Sequence, residues 1–426
     1  MPSPPPFIPS TGTTIHHRGK RSAQTALLLP GHTSQKLFCA TVGWAVNGFL
    51  LRVSHCHKRH KLGADGRANN DDDNDESAII MGLFLGSACI LGLGTAVLCY
   101  SVGIWSWMKD KDAWKRALLY MHWARPPLCW RSARVEGHHC FENVEIKGKH
   151  NLLAALIAYP GGKDVYQRKF TNRERIPGDT NDTRTVVVFL HGRAGTRSRD
   201  FLLDEYLSIA GNFDAAVLAI DYQGFAENRG FPDREHLQDD AMDAYKYAVY
   251  EMNAEMVVVW GQSLGSGIGA DLVRRLQEMP FNHPMAQPLQ SLVLEAPYTS
   301  MVDAFMSHWL SAQVRRLCGE ALARHFAEWL IPDKWDTKSF IGDLDLPILI
   351  MHAKNDRTIP FRHGEQLAGV FQNAAQTIGG QRMCFFYNPS DGGHGRLCYT
   401  SQFGETLRNF KEMTGMYAED GVAVVE

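Results

Sequence analysis

Net charge is nearly missing from this sequence: 44 Lys+Arg stand against 46 Asp+Glu, leaving −2 with His neutral. A chain so balanced is not a chain-wide basic binder, and no nucleic-acid partner is expected. Cysteine is also scarce. Nine over 426 residues, odd in number and widely spaced, cannot staple a scaffold, so apolar burial must hold the core. There is no P-loop and no dinucleotide fingerprint, hence no organic cofactor is implied, and there is no internal repeat. What is present, 45% hydrophobic, 10% aromatic and 21% charged residues, excludes collagen-like and wholly disordered chains.

Composition shifts along the chain set the boundaries. Residues 1–76 begin with Pro2, Pro4, Pro5, Pro6 and Pro9, run through a basic, His-rich stretch and end in Asp71-Asp72-Asp73-Asn74-Asp75-Glu76. Such a tail buries too little apolar surface to offset its ordering entropy and reads as disordered. Within it, Leu37 to Leu51 is uncharged but short for a membrane span. Ser77 to Met108 is different: 32 residues lack Asp, Glu, Lys and Arg. Crossing a bilayer takes about 20 apolar residues, so residues 77–108 are expected to be a transmembrane helix with the bilayer as partner. Trp105 and Trp107, then Lys109 and Lys111, supply interfacial anchors. Lys109, Lys111, Lys115, Arg116 and Arg125 outnumber Arg59, Lys61 and Arg67 and lean the C-terminal part toward the cytosol, whereas the sequon Asn181-Asp182-Thr183 would be glycosylated only in a lumen. Residues 109–139 read as a juxtamembrane linker, 140–418 as one globular domain and 419–426 as a short tail.

In that domain, Thr185–Leu190, Ala215–Ile220, Met256–Trp260, Ser291–Leu294, Pro347–Met351 and Met383–Tyr387 are short apolar runs. Most are nearly continuous, as in strands buried on both faces, and they alternate with helical patterns such as Asp239–Tyr250 and Leu264–Gln277. The expected fold class is α/β, a mostly parallel, doubly wound sheet.

The strand Met256–Trp260 enters Gly261-Gln262-Ser263-Leu264-Gly265, followed by a helix. This G-x-S-x-G string sits where a nucleophile elbow requires it, with small residues two places either side of a serine on a strained strand-to-helix turn. A serine hydroxyl is a weak nucleophile, so a histidine base and an orienting carboxylate are required downstream. Asp356 lies in the loop after Pro347–Met351, and His394 in the loop after the last strand. Asp391 and Glu295 are alternative carboxylates, and His352 occupies another strand-end position. The oxyanion needs two amides; Leu264 supplies the one after the nucleophile, and Arg193, in the turn His191-Gly192-Arg193-Ala194-Gly195, is placed to supply the second.

Residues 300–346 are expected to form a helical lid, where Met301, Phe305, Trp309, Leu310, Val314 and Leu317 recur at helical spacing before Trp329-Leu330-Ile331. Such a stripe is expected to pack on the catalytic core. His55-Cys56-His57 with His60, and His138-His139-Cys140, lack a second ligand pair at zinc-finger spacing, so no metal is expected. Cys129 and Cys140 could pair in an oxidising compartment.

The strings VVVFLHGRAGTR, AIDYQGF, VVVWGQSLGSG, LVLEAPYTS and ILIMHAKNDRTIPF, with an upstream span, resemble the α/β-hydrolase domain-containing protein 12 family over residues 140–415. The resemblance implies an α/β-hydrolase fold and a membrane-bound serine hydrolase of lysophosphatidylserine and monoacylglycerols. It also implies an endoplasmic-reticulum location with the catalytic part lumenal, against the charge lean. It assigns Ser263, Asp356 and His394 to the triad and Arg193 and Leu264 to the oxyanion hole. Asp221-Tyr222-Gln223-Gly224-Phe225-Ala226-Glu227-Asn228 departs from the family's usual Asp-Tyr-Arg-Gly-x-Gly-x-Ser, and Arg193 replaces its usual Asn. Two further readings stay open: an acyl-protein thioesterase or serine peptidase on the same fold, and a catalytically silent scaffold.

Overall fold

Residues 112–122, 135–171, 183–280, 282–378 and 382–420 are described by the computed structural model of the chain. The expected tail and span, the run 37–51, Cys129, Asn181 and residues 421–426 lie outside them. Among the described residues no helix is long and apolar enough to cross a membrane.

Eight strands form one sheet: β1 (Phe141–Lys147), β2 (Leu152–Ala158), β3 (Thr185–Leu190), β4 (Ala216–Ile220), β5 (Met256–Gln262), β6 (Leu289–Glu295), β7 (Ile348–Met351) and β8 (Cys384–Tyr387). Their order is β1-β2-β4-β3-β5-β6-β7-β8. Only β2 runs antiparallel to its neighbours β1 and β4; the pairs from β4 through β3 to β8 are parallel. The apolar runs follow from burial on both faces: Val186, Val188 and Leu190 of β3 enter one core, Val187 and Phe189 the other.

Helices cover both faces: α1 (Ala113–Tyr120), α2 (Lys163–Thr171), α3 (Asp200–Phe213), α4 (Arg234–Tyr250), α5 (Leu264–Gln277), α6 (Met301–Ser307), α7 (Trp309–Cys318), α8 (Glu320–Leu330), α9 (Arg362–Ile378) and α10 (Phe403–Asp420). Helix α4 starts at an Asp233 cap whose side chain accepts the His236 amide, so it begins five residues before the periodic pattern that announced it. The segment expected as a linker contributes α1, and its last residue, Tyr120, is fully buried. The Tyr120 hydroxyl donates to Asp333 Oδ2 at 2.7 Å and accepts from Trp335 Nε1 at 3.2 Å, tying α1 to the end of the lid insertion.

Helices α6, α7 and α8 fall inside residues 300–346. The lid stripe, however, does not pack throughout. Met301, Phe305 and Val314 rest against the core, whereas Leu317 and Trp329 face outward; the Trp309 and Leu310 side chains are not among those described. The correction has a steric origin, because α8 meets the protein through its small residues Ala323 and Ala327.

Candidate active site

Strand β5 runs on through Gly261 and Gln262, and α5 begins at Leu264, leaving a single residue for the reversal. That residue, Ser263, has φ 51° and ψ −114°, a left-handed conformation that a serine adopts only under constraint. The flanking glycines are forced by contact. A Cβ on Gly265 would lie 1.9 Å from the Leu190 carbonyl oxygen, and one on Gly261 would lie 2.2 Å from that of Gly265. The turn is held by the Ser263 amide donating to the Glu295 carbonyl at 2.9 Å and by the Ser266 amide donating to the Ser263 carbonyl at 2.9 Å.

Three predicted residues meet here. His394 Nε2 lies 3.0 Å from Ser263 Oγ, and His394 Nδ1 lies 2.7 Å from Asp356 Oδ2. With Nδ1–H donating to the carboxylate, the Nε2 lone pair faces the serine hydroxyl, the tautomer that proton abstraction needs. Asp356 Oδ1 accepts the Thr358 and Ile359 amides at 2.7 and 3.0 Å. Burial alone would raise this carboxyl's pKa, but hydrogen bonds from His352 and His394 outweigh it and hold the group well below the usual carboxylate range.

His352 is the participant whose part the sequence did not reveal. It is fully buried, donates from Nε2 to the Ile359 carbonyl at 2.9 Å, and brings the same nitrogen within 3.4 Å of Asp356 Oδ2. The four-residue spacing to Asp356 was the available signal, though the contact depends on how the loop closes. The other candidates go elsewhere. Asp391 is exposed; Glu295 accepts from Trp260 Nε1 at 3.1 Å and from Gln262 Nε2 at 3.2 Å. Gln262 Nε2 also donates to Glu205 Oε2 at 3.2 Å. Burial first, and the Glu295 charge second, push the Glu205 pKa well up behind the elbow.

The turn after β3 touches the elbow: a Cβ on Gly192 would lie 3.1 Å from Ser263 Cβ. The Ala194 amide is already engaged by the Tyr120 carbonyl at 3.1 Å, while the Arg193 and Leu264 amides have no acceptor among the described residues. Buried Arg197 anchors this turn, its backbone amide donating to Asp221 Oδ1 at 2.7 Å, its guanidinium paired with Asp221 and with Glu227 at 2.7 Å. Burial would raise the Asp221 pKa, yet His191 and Arg197 bring it below its ordinary value. The Arg193 side chain is exposed and forms no ion pair among the described residues; partial desolvation lowers its pKa, though a guanidinium this basic stays charged. Gln223, in the departing loop, turns inward, accepting from Asn151 Nδ2 at 2.7 Å and donating to the Phe231 carbonyl at 3.1 Å.

Away from the relay, His138, His139 and Cys140 bring their donor atoms within 4.8 Å of one another, but His138 Nδ1 already accepts the Cys140 amide at 3.3 Å. A cavity of about 740 Å³ is lined by Asn143, Asn151, Arg197, Asn228 and Arg229. It opens beside the Arg197–Asp221 pair, not onto Ser263, so this cavity and the candidate reactive groups do not coincide.

Sheet order, elbow and loop positions together define an α/β-hydrolase fold. Comparison with known proteins is consistent: residues 181–342 match the Hydrolase_4 family, described as serine aminopeptidase S33. Human Protein ABHD12B is 29% identical over 231 residues, covering 54% of this chain and 61% of its own. Lysophosphatidylserine lipase ABHD12 of Danio rerio is 26% identical over 282 residues, covering 63% and 67%; that of Xenopus tropicalis is 28% identical, covering 54% and 55%. The chain thus spans between 55% and 67% of the length of these relatives. Among solved structures, an alpha-beta hydrolase from Vibrio vulnificus is similar at a TM-score of 0.46 and 18% identity, covering 73% of this chain and 92% of that one.

Proposed function

We propose that this chain is a serine hydrolase of lipid carboxylic esters, acting on a monoacyl lipid such as lysophosphatidylserine or a monoacylglycerol. The observation that carries the reading is the continuous contact from Ser263 Oγ through His394 to Asp356 at a strained elbow. Ser263 Oγ attacks the ester carbonyl while His394 Nε2 takes its proton, and Asp356 holds the imidazole in the required tautomer. The Leu264 and Arg193 amides receive the developing oxyanion. His394 then gives its proton to the departing alcohol, and a water activated by the same nitrogen releases the fatty acid.

The relatives named as lysophosphatidylserine lipases support the substrate class. The uncharged run 77–108 supports membrane anchoring, and the family resemblance carried by the sequence motifs prompts an endoplasmic-reticulum placement with the catalytic part lumenal. A peptidase reading draws on the family match to serine aminopeptidases. It is weakened by Arg193, whose positive charge on the turn beside Ser263 is unfavourable to a substrate ammonium group. Fluorophosphonate labelling of the full chain tests the proposal: labelling is expected in wild type and lost in Ser263→Ala, and a folded wild type that does not label overturns it. Release assays with lysophosphatidylserine, monoacylglycerol, acyl-protein thioesters and amino-terminal peptides then fix the substrate.

A further inference from the structure

Part of the lid carries its large apolar side chains on the side away from the protein. Helix α8 buries Ala323 and Ala327, while Leu322, Phe326 and Trp329 are 57%, 41% and 53% exposed. These three recur at i, i+4 and i+7 and so share one face. Across the turn at Gly319, whose φ of 83° suits glycine, the last turn of α7 holds Leu317 at 85% exposure. Helix α1 joins the same surface: Leu118 is 53% exposed, the Trp114 ring is 5.9 Å from Trp329, and Lys115 Nζ stands 4.5 Å above that ring. Among the described residues, five of the eleven exposed large hydrophobics therefore fall on α1 and the α7–α8 hairpin, a clustering that isolated surface leucines do not explain.

A helix facing only water gains by turning its alanines outward and its leucine, phenylalanine and tryptophan inward; α8 does the reverse. What covers the face is indicated by the chain itself. Helix α1 starts at Ala113, five residues past Met108, the end of the 32-residue uncharged run. Five extended steps reach at most about 18 Å, so α1 stays close to wherever that run ends. Around the apolar side chains stand Lys115, Arg315, Arg316 and Arg324, with Lys115 paired to Asp112 at 2.9 Å, Arg324 to Asp303 at 2.9 Å and Arg315 3.6 Å from Glu320, a charged border of the kind that flanks an apolar face lying at the level of lipid head groups.

We propose that the face formed by Leu118, Leu317, Leu322, Phe326 and Trp329 lies in the interfacial layer of a lipid bilayer. This rests on the anchoring reading above, and it places the lid itself, not only the tether, against the lipid. The test uses the full chain in phosphatidylcholine vesicles doped with a phosphatidylcholine bearing a diazirine on its acyl chain, irradiated and mapped by peptide mass spectrometry. Lipid adducts are expected on peptides covering residues 316–329 as well as 77–108. The Leu322→Asp, Phe326→Asp, Trp329→Asp variant should lose hairpin adducts at least about five-fold while keeping those on 77–108. The single variant Leu317→Asp, at a position too exposed to hold the fold, repeats the comparison, and fluorophosphonate labelling of both variants reports that they remain folded. Adducts on 77–108 with none on the hairpin overturn the docking face and leave the anchor standing. Hairpin-to-hairpin protein cross-links in place of lipid adducts overturn it in favour of a second copy, and adducts on neither segment overturn both readings.

Discussion

Ser263 holds its hydroxyl forward only by keeping a backbone conformation of φ 51° that costs a non-glycine residue about 1–3 kcal/mol. Ser263→Gly is therefore expected to melt above the wild type, and above Ser263→Ala, while losing all fluorophosphonate labelling; a glycine variant no more stable than the alanine one would show that the turn is unstrained. In Asp356→Asn, an amide replaces the carboxylate that faces His394 Nδ1, which favours the tautomer carrying its proton on the wrong nitrogen. A fall of about 10³–10⁴-fold in kcat with little change in KM is expected in steady-state ester hydrolysis. His352 acts one contact further back, so His352→Phe should lower kcat by about 10–100-fold, and His352→Asn, which keeps a donor toward the Ile359 carbonyl, should recover part of it.

At the scale of elements the elbow leaves no room for a methyl group. Gly265→Ala would press a carbon to 1.9 Å from the Leu190 backbone oxygen, and a loss of about 3 kcal/mol in chemical denaturation is expected, with β5 and α5 forced apart. The sequence defined these central elements well: β3 and α5 begin and end where the pattern put them, because strands covered on both faces read as unbroken apolar runs. The flanks were less legible. Strand β1, Phe-Glu-Asn-Val-Glu-Ile-Lys, buries only Phe141 and Ile146 and carries three charged side chains, so an edge strand there gives no continuous signal. The outward face of α8 was hidden for a different reason: periodicity reports that an apolar stripe exists, not which medium it meets. That Ser263, Asp356 and His394 should lie together was legible in their order along the chain, whereas the contact of His352 with Asp356 depends on a loop closure that spacing does not encode.

For the molecule as a whole, the ties that matter join distant parts of the chain. Tyr120→Phe removes the hydroxyl shared by Asp333 and Trp335, and a loss of about 1–2 kcal/mol, read as a lower melting temperature, is expected as α1 loosens from the lid insertion. His363, buried between Thr299 Oγ1 and Ser307 Oγ at 2.9 Å each, has its pKa pushed down to about 4 by burial and by the Arg362 charge. The unfolded chain takes up that proton near the ordinary histidine value of 6.5 and the folded one only near 4, so stability present above 6.5 is lost as pH falls through this window. His363→Gln should flatten that acid-side loss by on the order of 1 kcal/mol in pH-dependent melts. The sequence order of the proposed relay carries a consequence for biosynthesis. Ser263 leaves the ribosome 131 residues before His394, and until strand β8 is made nothing can draw the serine proton away. A nascent chain stalled in that interval lacks the base, so on the proposed mechanism the serine stays inert until β8 and the loop after it have been made.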